Sequence, residues 1–409
     1  MLLEMKMGKM VNKIEENFFT SNVFTFESYS CHCEIEKGLN IIGEPTEIIK
    51  ITADKTQPLH FAFGSKVGLV RLNADGSVAE SNILGKLLAI DNSKVENYFD
   101  FFKRNGFLLP VSQKNHDTVE KSELGCIINR LHATLLLMST ITDMSRTSYE
   151  KIVRMLFYHL FSPIVHIETR DGACKYTSSK HQYTQFLENY KNAEREERLY
   201  DTFNNAEFTF TDTLGTITLN ADFVDGVLNR TLINCQYENS LFREVFTTYC
   251  SPRAGKSKNM LLINDFIFRY LYEVGVVMRV DLENIYYVDE KVSKDNFTTQ
   301  MKSRATEIAK FLIKEEIEAN LRRVRPTYNI YKLEPTWTID SLLSALYFGL
   351  FYMRPNMENY RRCANPKCGE FFLVPISSQK KKYCCRECMN REMAARKRAR
   401  DKSKATKEQ

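Results

Sequence analysis

Apolar residues at Leu124, Ile127, Ile128, Leu131 and Leu135 recur at steps of three and four, the spacing that lines one face of a helix. This pattern makes the stretch from about 119 to 161 helical, with a second segment, SYEKIVRMLFYHLF, ending before Ser162-Pro163. Upstream, Ser93 and Glu96 fit a capping box that opens a helix carrying VENYFDFFKR, which Gly106 stops. FLLPVS then leads away and KNHDT reads as a loop. The stretch from about 18 to 70 instead alternates in brief runs, NVFTFESYSCHCEI, EIIKITA and HFAFGSKVGLVRL, broken at Gly38 and Gly43, and predicts short strands and turns.

Further along, IVHIET predicts a strand, and KHQYTQFLENYKNAEREERLYDTF a charged, exposed helix. EFTFTDTLGTITLNA alternates and predicts a hairpin near 207–220, turning at Leu214-Gly215. Helices follow over 241–249, 260–272 and 298–323, and RVRPTYNIYKLEP reads as a linker. TWTIDSLLSALYFGLFYM then predicts a helix with Thr338 and Asp340 near its positive end and Pro355 as its stop. The sum is an α+β fold with a helix-rich N-terminal body of short strands and hairpins. Three regions are expected: mixed strand and helix over 1–117, a helix-rich stretch over 118–335, and a helix with a cysteine-rich tail over 336–409.

Composition narrows the class. With 43% hydrophobic and 26% charged residues, the 409-residue chain reads as an ordinary globular protein. Glu4, Lys6 and Lys9 interrupt the apolar opening, so it lacks the unbroken run of a secretion signal. The run 342–353 falls short of the roughly 20 residues needed to span a bilayer. A cytoplasmic protein without a membrane partner is expected, and reducing conditions there favour metal over disulfide as the use of clustered cysteines. Cys126, Cys174, Cys235 and Cys250 are scattered and read as small buried hydrophobes. Cys31-His32-Cys33 has no second pair nearby, and its neighbours on a strand point to opposite faces, so it too reads as structural.

The remaining five cysteines fall between Cys363 and Cys388. Four residues separate Cys363 from Cys368 and three separate Cys384 from Cys388, with fifteen between the pairs. Two close thiolate pairs suit one tetrahedral, structural Zn2+. Asn365-Pro366 favours a turn, and Gly369 permits the positive φ that turns backbone N–H groups toward sulfur. EFFLV predicts a strand, PISSQKKK a turn, and KYC the returning strand; RECMNREMAARKRAR predicts a helix with Cys388 in its first turn, where the helix N-terminus favours a thiolate. Knuckle, hairpin and helix make a treble-clef-like finger. Cys384 is the favoured third ligand, with Cys385 as its competitor.

Charge gives the tail a partner. Residues 354–409 hold 16 Lys+Arg against 6 Asp+Glu, a net +10, so residues 1–353 carry −4 of the chain's +6. In the final helix, Arg396, Arg400 and Lys404 share one face and Arg391 and Arg398 a neighbouring one, while Met389 and Met393 are placed to pack inward. With Lys397 and the turn lysines Lys380, Lys381 and Lys382, these residues predict contact with nucleic acid.

RRCANPKCGEFFLV followed by KKYCCRECMNREMAARKRAR resembles the CGNR zinc finger at the C-terminus of bacterial proteins regarded as stress-responsive transcription regulators. The resemblance covers about residues 338–403. It implies Cys363, Cys368, Cys384 and Cys388 as zinc ligands, matches Asn390 and Arg391 to the motif's Asn-Arg, and gives LLSALYFGLFYM the character of the helix before the finger. Met389 stands where the motif has glycine, and the second cysteine pair is one residue closer than usual. The function implied is a DNA-binding transcriptional regulator whose body receives a small-molecule or protein effector; an RNA-binding or host-defence protein with the same finger is the alternative.

No catalytic residue is assigned. Gly255-Lys256-Ser257 has the end of a phosphate-binding loop, but Cys250 stands where its first glycine belongs. His166, Glu168 and Asp171 form no known acid–base spacing, and His132 and His159 on apolar helices read as packed core histidines. No histidine follows His181 to serve as a base in the finger, and four cysteine ligands leave a zinc ion no open position for substrate. An enzyme would need an active site elsewhere in the body.

Overall fold

The computed structural model describes residues 22–39, 43–64, 68–112, 116–142, 148–168, 174–179, 181, 183, 207–220, 245, 248–249, 253–288, 292–330, 333–353, 358–378 and 380–405. In chain order the elements begin with β1 (Asn22–Leu39), β2 (Pro45–Gly64), β3 (Gly68–Leu72), β4 (Val78–Glu80), α1 (Ile83–Ala89), α2 (Phe99–Asn105) and β5 (Asp117–Glu120). Next come α3 (Lys121–Thr142), α4 (Tyr149–Phe161), β6 (His166–Glu168), β7 (Lys175–Thr177), β8 (Glu207–Asp212) and β9 (Gly215–Asn220). Then follow α5 (Lys258–Arg269), β10 (Val277–Val280), β11 (Ile285–Tyr287), α6 (Thr299–Asn320), β12 (Arg325–Asn329) and β13 (Glu334–Thr338). The chain closes with α7 (Leu342–Tyr352), β14 (Glu358–Arg362), β15 (Phe371–Pro375) and α8 (Arg386–Ala405). The fold is the mixed helix-and-strand type that the hydrophobic pattern predicts. It divides into two compact units, one of residues 1–135, 165–178 and 317–409, the other of 136–164 and 179–316.

In the first unit, the expected short N-terminal strands are two long ones paired antiparallel from end to end, in a sheet ordered β1-β2-β3-β4 with β5 also on β2. Glycine did not break the run: Gly38 sits inside β1, and only Gly43, with φ 84°, lies in the connection. An irregular register between Tyr29 and Ser30 switches β1's inward positions from Phe24 and Phe26 to Cys31 and Cys33. The partner jumps from Pro58 to Asp54 there, an odd slip of three residues that exchanges the faces of the strand, which is why two odd-numbered cysteines are buried and His32 between them is exposed. Burial raises the Cys31 thiol to about 11 and that of Cys33 to about 12, so both remain protonated core residues.

Helix α7 covers this hairpin through Phe348, which meets Phe24 edge-on at 5.0 Å, Phe63 at 5.5 Å and Trp337 at 5.4 Å. Phe24 and Phe63 stack at 5.3 Å beneath it. The helix starts later than the sequence suggests: its cap is Ser341, whose hydroxyl accepts from the Ser344 N–H, and the TWT stretch is the end of β13. The expected linker before it is the β12–β13 hairpin. The predicted capping box at Ser93 is also replaced, because Ser93 donates its N–H and hydroxyl to Asp91 instead; Lys94 precedes a 3-10 turn over Val95–Tyr98 that leads into α2.

In the second unit, β8 and β9 form the expected hairpin, although its turn is Thr213-Leu214. A buried ionic network ties it to α5. Arg269 donates to Asp212 at 2.8 Å, Tyr249 donates to the same carboxylate at 2.8 Å, and Arg253 grips Asp265 with two bonds of 2.9 and 2.7 Å. Asp265 closes the link by accepting from the Thr213 backbone N–H at 2.9 Å. Most of the charged helix expected over 180–203 and most of that over 241–249 lie outside the described residues.

Among the described residues, Lys121–Ile141 is the one helix long and apolar enough to cross a membrane by length and composition, and 61% of its most apolar window is buried inside the protein.

Helix α1 and the tail hairpin approach closely within the first unit. Asn82, in the left-handed region with φ 57°, donates its amide to the Phe371 carbonyl at 2.8 Å, and a Cβ on Gly85 would lie 1.8 Å from the same oxygen. Gly85→Ala should therefore force the hairpin off α1 and cost roughly 1–3 kcal/mol, measured by chemical denaturation.

His132 packs edge-on against Phe371 at 5.2 Å. Burial, with the nearby Arg362 charge, lowers its pKa to about 4 from 6.5. The folded chain thus binds fewer protons than the unfolded chain as pH falls from about 6.5 to 4, and stability should drop across that window by roughly 1–3 kcal/mol. Denaturation midpoints at both ends of the window should show this slope in the wild type and a flatter one in His132→Phe.

Candidate metal centre

The tail hairpin sets the first cysteine pair. Strands β14 and β15 pair from Glu358↔Pro375 to Arg362↔Phe371, so their ends deliver Cys363 and the knuckle that follows it. Asn365 builds the knuckle: its carbonyl accepts the N–H groups of Cys368 (3.0 Å) and Gly369 (3.2 Å), and its side-chain oxygen accepts that of Lys367 (3.1 Å). Gly369 has φ 64°, the positive value expected of it. The hairpin itself is not the expected one. The partner of the EFFLV strand precedes the knuckle, whereas KYC is not a strand; it is tied in by the Ala364 N–H donating to the Lys382 carbonyl at 2.9 Å.

The second pair is set by α8. Cys388 is the third residue of that helix, in its first turn as expected, and the Cys385 sulfur accepts from the Cys388 N–H at 3.5 Å at the helix start. That leaves Cys385 exposed and turns Cys384 inward.

The sulfurs of Cys363, Cys368, Cys384 and Cys388 all lie within 4.8 Å of one another. Cys384 is 3.6 Å from Cys368 and 3.5 Å from Cys388. A disulfide would need about 2.05 Å, whereas four thiolates 2.3 Å from one tetrahedral ion sit about 3.8 Å apart. The four cysteines are arranged to hold a metal ion, and of the competing pair it is Cys384 that joins them.

Crowded sulfurs perturb one another. Burial and the neighbouring sulfurs push Cys384 up strongly, and burial pushes Cys388 up to about 11. At Cys363 burial acts upward too, but backbone hydrogen bonds from Cys384 and Asn365 outweigh it and the net shift is downward. Cys385 is lowered by its bond from the Cys388 backbone. Without a cation the cluster must retain protons among its sulfurs; a divalent ion displaces them, since a coordinated thiol is deprotonated outright.

The predicted nucleic-acid contacts lie in the segment before Cys384 and along α8. Lys380, Lys381, Lys382, Arg391, Arg396, Lys397 and Arg398 are all exposed. Lys381 lies 5.4 Å over the Phe372 ring, and Arg396 pairs with Glu392 at 2.8 Å. Arg400 and Lys404 lie on α8, but their side chains fall outside the described residues. Met393 does not pack inward as expected; it is 62% exposed, because the helix has left the cysteine cluster by that turn. A cleft of about 820 Å³ beside the cysteines is lined by Lys367, Lys381 and Arg391 but equally by Glu358, Glu370 and Glu387. Its balanced charge makes it unsuited to a polyanion, which leaves the outer face of α8 as the basic surface.

Other sequence candidates have local roles. Lys256 donates to the Thr248 carbonyl and the Ser257 hydroxyl caps α5, so the Gly-Lys-Ser stretch serves the helix start. His166 bonds Thr177 and Glu168 pairs with Lys175 across the β6–β7 hairpin; Asp171 lies outside the described residues. A second group of potential ligand residues, His159, His181 and Glu316, was missed. Its members are far apart in sequence and sit in apolar or charged helical patterns that carry no ligand spacing. No known family model, curated protein or solved structure matches the chain.

Cys388→Ser should lose one equivalent of bound metal from the purified chain and weaken hydrogen-exchange protection in β14, β15 and the start of α8, because site and local fold are coupled. Unchanged metal content would remove Cys388 from the site.

Proposed function

We propose that the four cysteines hold one structural Zn2+ and that the finger they form binds nucleic acid, duplex DNA in preference to RNA, as the output module of a transcriptional regulator. The observation carrying this reading is that an exposed basic helix begins within the four-sulfur cluster. An ion bound there would hold its first turn rigidly, so that the positive side chains meet a phosphate backbone without first being ordered. An all-sulfur donor set suits Zn2+, which has no redox chemistry and accepts tetrahedral geometry without penalty.

Resemblance to the CGNR finger supports the regulator reading through the four cysteines, Asn390 and Arg391. The pairing of Arg396 with Glu392 is no obstacle, since an exposed ion pair is screened by water and yields readily to a phosphate.

Binding should be strongly salt-dependent: engagement of about 6–10 phosphates would weaken affinity on the order of a thousandfold or more between about 50 and 200 mM salt. Filter binding to duplex DNA, single-stranded DNA and structured RNA should rank duplex first. Replacing Arg396, Arg400 and Lys404 together with Ala should weaken binding and flatten its salt slope while metal content stays unchanged. Undiminished binding by this variant would take α8 out of the interface, and a clear preference for RNA would replace the regulator reading with an RNA-binding one.

A further inference from the structure

Three side chains in the second unit converge at a place that the nucleic-acid reading does not use. His159 comes from the last turns of α4, Glu316 from the second half of α6, and His181 from the chain beyond β7. The side chains of all three are 1% exposed. Glu316 Oε1 lies 3.1 Å from His181 Nε2 and 3.4 Å from His159 Nδ1, and one potential ligand atom from each residue falls within 4.8 Å of the other two. The second nitrogen of His181, Nδ1, is 2.6 Å from Glu315 Oε2.

We propose that this cluster is a second metal site, in which His159, His181 and Glu316 ligate one divalent transition-metal ion and Glu315 orients His181 from outside. Three physical arguments support it. Imidazole nitrogen and carboxylate oxygen bind such ions at about 2.0–2.2 Å, which places tetrahedral ligand atoms about 3.3 Å apart. The 3.4 Å between His159 and Glu316 exceeds the usual 2.7–3.2 Å of an N–H···O bond but matches that edge. A ligating histidine characteristically donates its other ring N–H to a carboxylate, which fixes its tautomer, and the His181–Glu315 contact has that form. Burial points the same way: the side chains of Glu315 and Glu316 are 17% and 1% exposed, so charge held there is largely removed from bulk water.

The donor set also separates this site from the sulfur cluster. Nitrogen and oxygen ligands suit Zn2+ and its divalent neighbours from manganese to nickel, without the preference of thiolates for softer ions. An ion here would pin α4, α6 and the segment at His181 together, so its first effect is on the stability of the second unit.

Cobalt(II) loading of the full-length, chelator-stripped chain tests the site. Wild type should take up two equivalents, only one of which gives a thiolate-to-cobalt charge-transfer band. Cys363→Ser/Cys388→Ser should retain one equivalent and lose the band; His159→Gln/His181→Gln should retain one equivalent with the band intact. Glu315→Gln keeps every ligand and should weaken cobalt at the band-free site about 10–100-fold, which gives a readout if the histidine variant does not fold. A wild type that saturates at one equivalent with the band, a band-free equivalent that survives the histidine substitutions, or a Glu315→Gln chain with unaltered affinity would each overturn the proposal. Failure of the sulfur site would look different, as a single band-free equivalent in the wild type.

Discussion

The convergence of four sulfurs within 4.8 Å of one another governs the tail. Around that point a knuckle built on Asn365 and the entry into α8 must both be in place, because Cys363 and Cys368 bracket the first and Cys384 and Cys388 the second. Little else could do the work. Among the described residues, the buried cluster beside the sulfurs is Cys363, Phe372, Val374 and Cys388, too small to define a fold by hydrophobic burial alone. In the reading proposed, a metal ion supplies what such a core lacks, and the direction of the basic helix follows from it.

The finger is also not a free appendage. Its hairpin carbonyl at Phe371 is held by Asn82 and lies against Gly85, while His132 packs on the Phe371 ring. These contacts transmit strain both ways: a change in α1 or α3 reaches the hairpin, and loss of the sulfur cluster removes the surface on which they pack.

The second unit relies more on buried charge than its sequence suggests. Asp212, Asp265, Arg253 and Arg269 join a hairpin to a helix, and the His–Glu cluster joins two helices to a distant segment. Breaking a buried pair leaves an uncompensated charge, typically costing about 3–5 kcal/mol.

What could be read along the chain was whatever depends on near neighbours. Helical periodicity placed α3 through α6, alternation placed the β8–β9 hairpin, and cysteine spacing with Asn365 and Gly369 placed the sulfur cluster up to the choice between Cys384 and Cys385, because ligand pairs and turns are local in sequence. Where pairing is long-range, local signals misled: Gly38 looked like a strand break but lies within β1, RVRPTYNIYKLEP looked like a linker but is a hairpin, and the strand partner of EFFLV lies before the first cysteine. Tertiary structure alone decided that Cys384 turns inward while Cys385 starts the helix, and that His159, His181 and Glu316 meet. Those outcomes depend on which backbone segments approach each other in space, and neither the period of a helix nor the spacing of a motif carries that information.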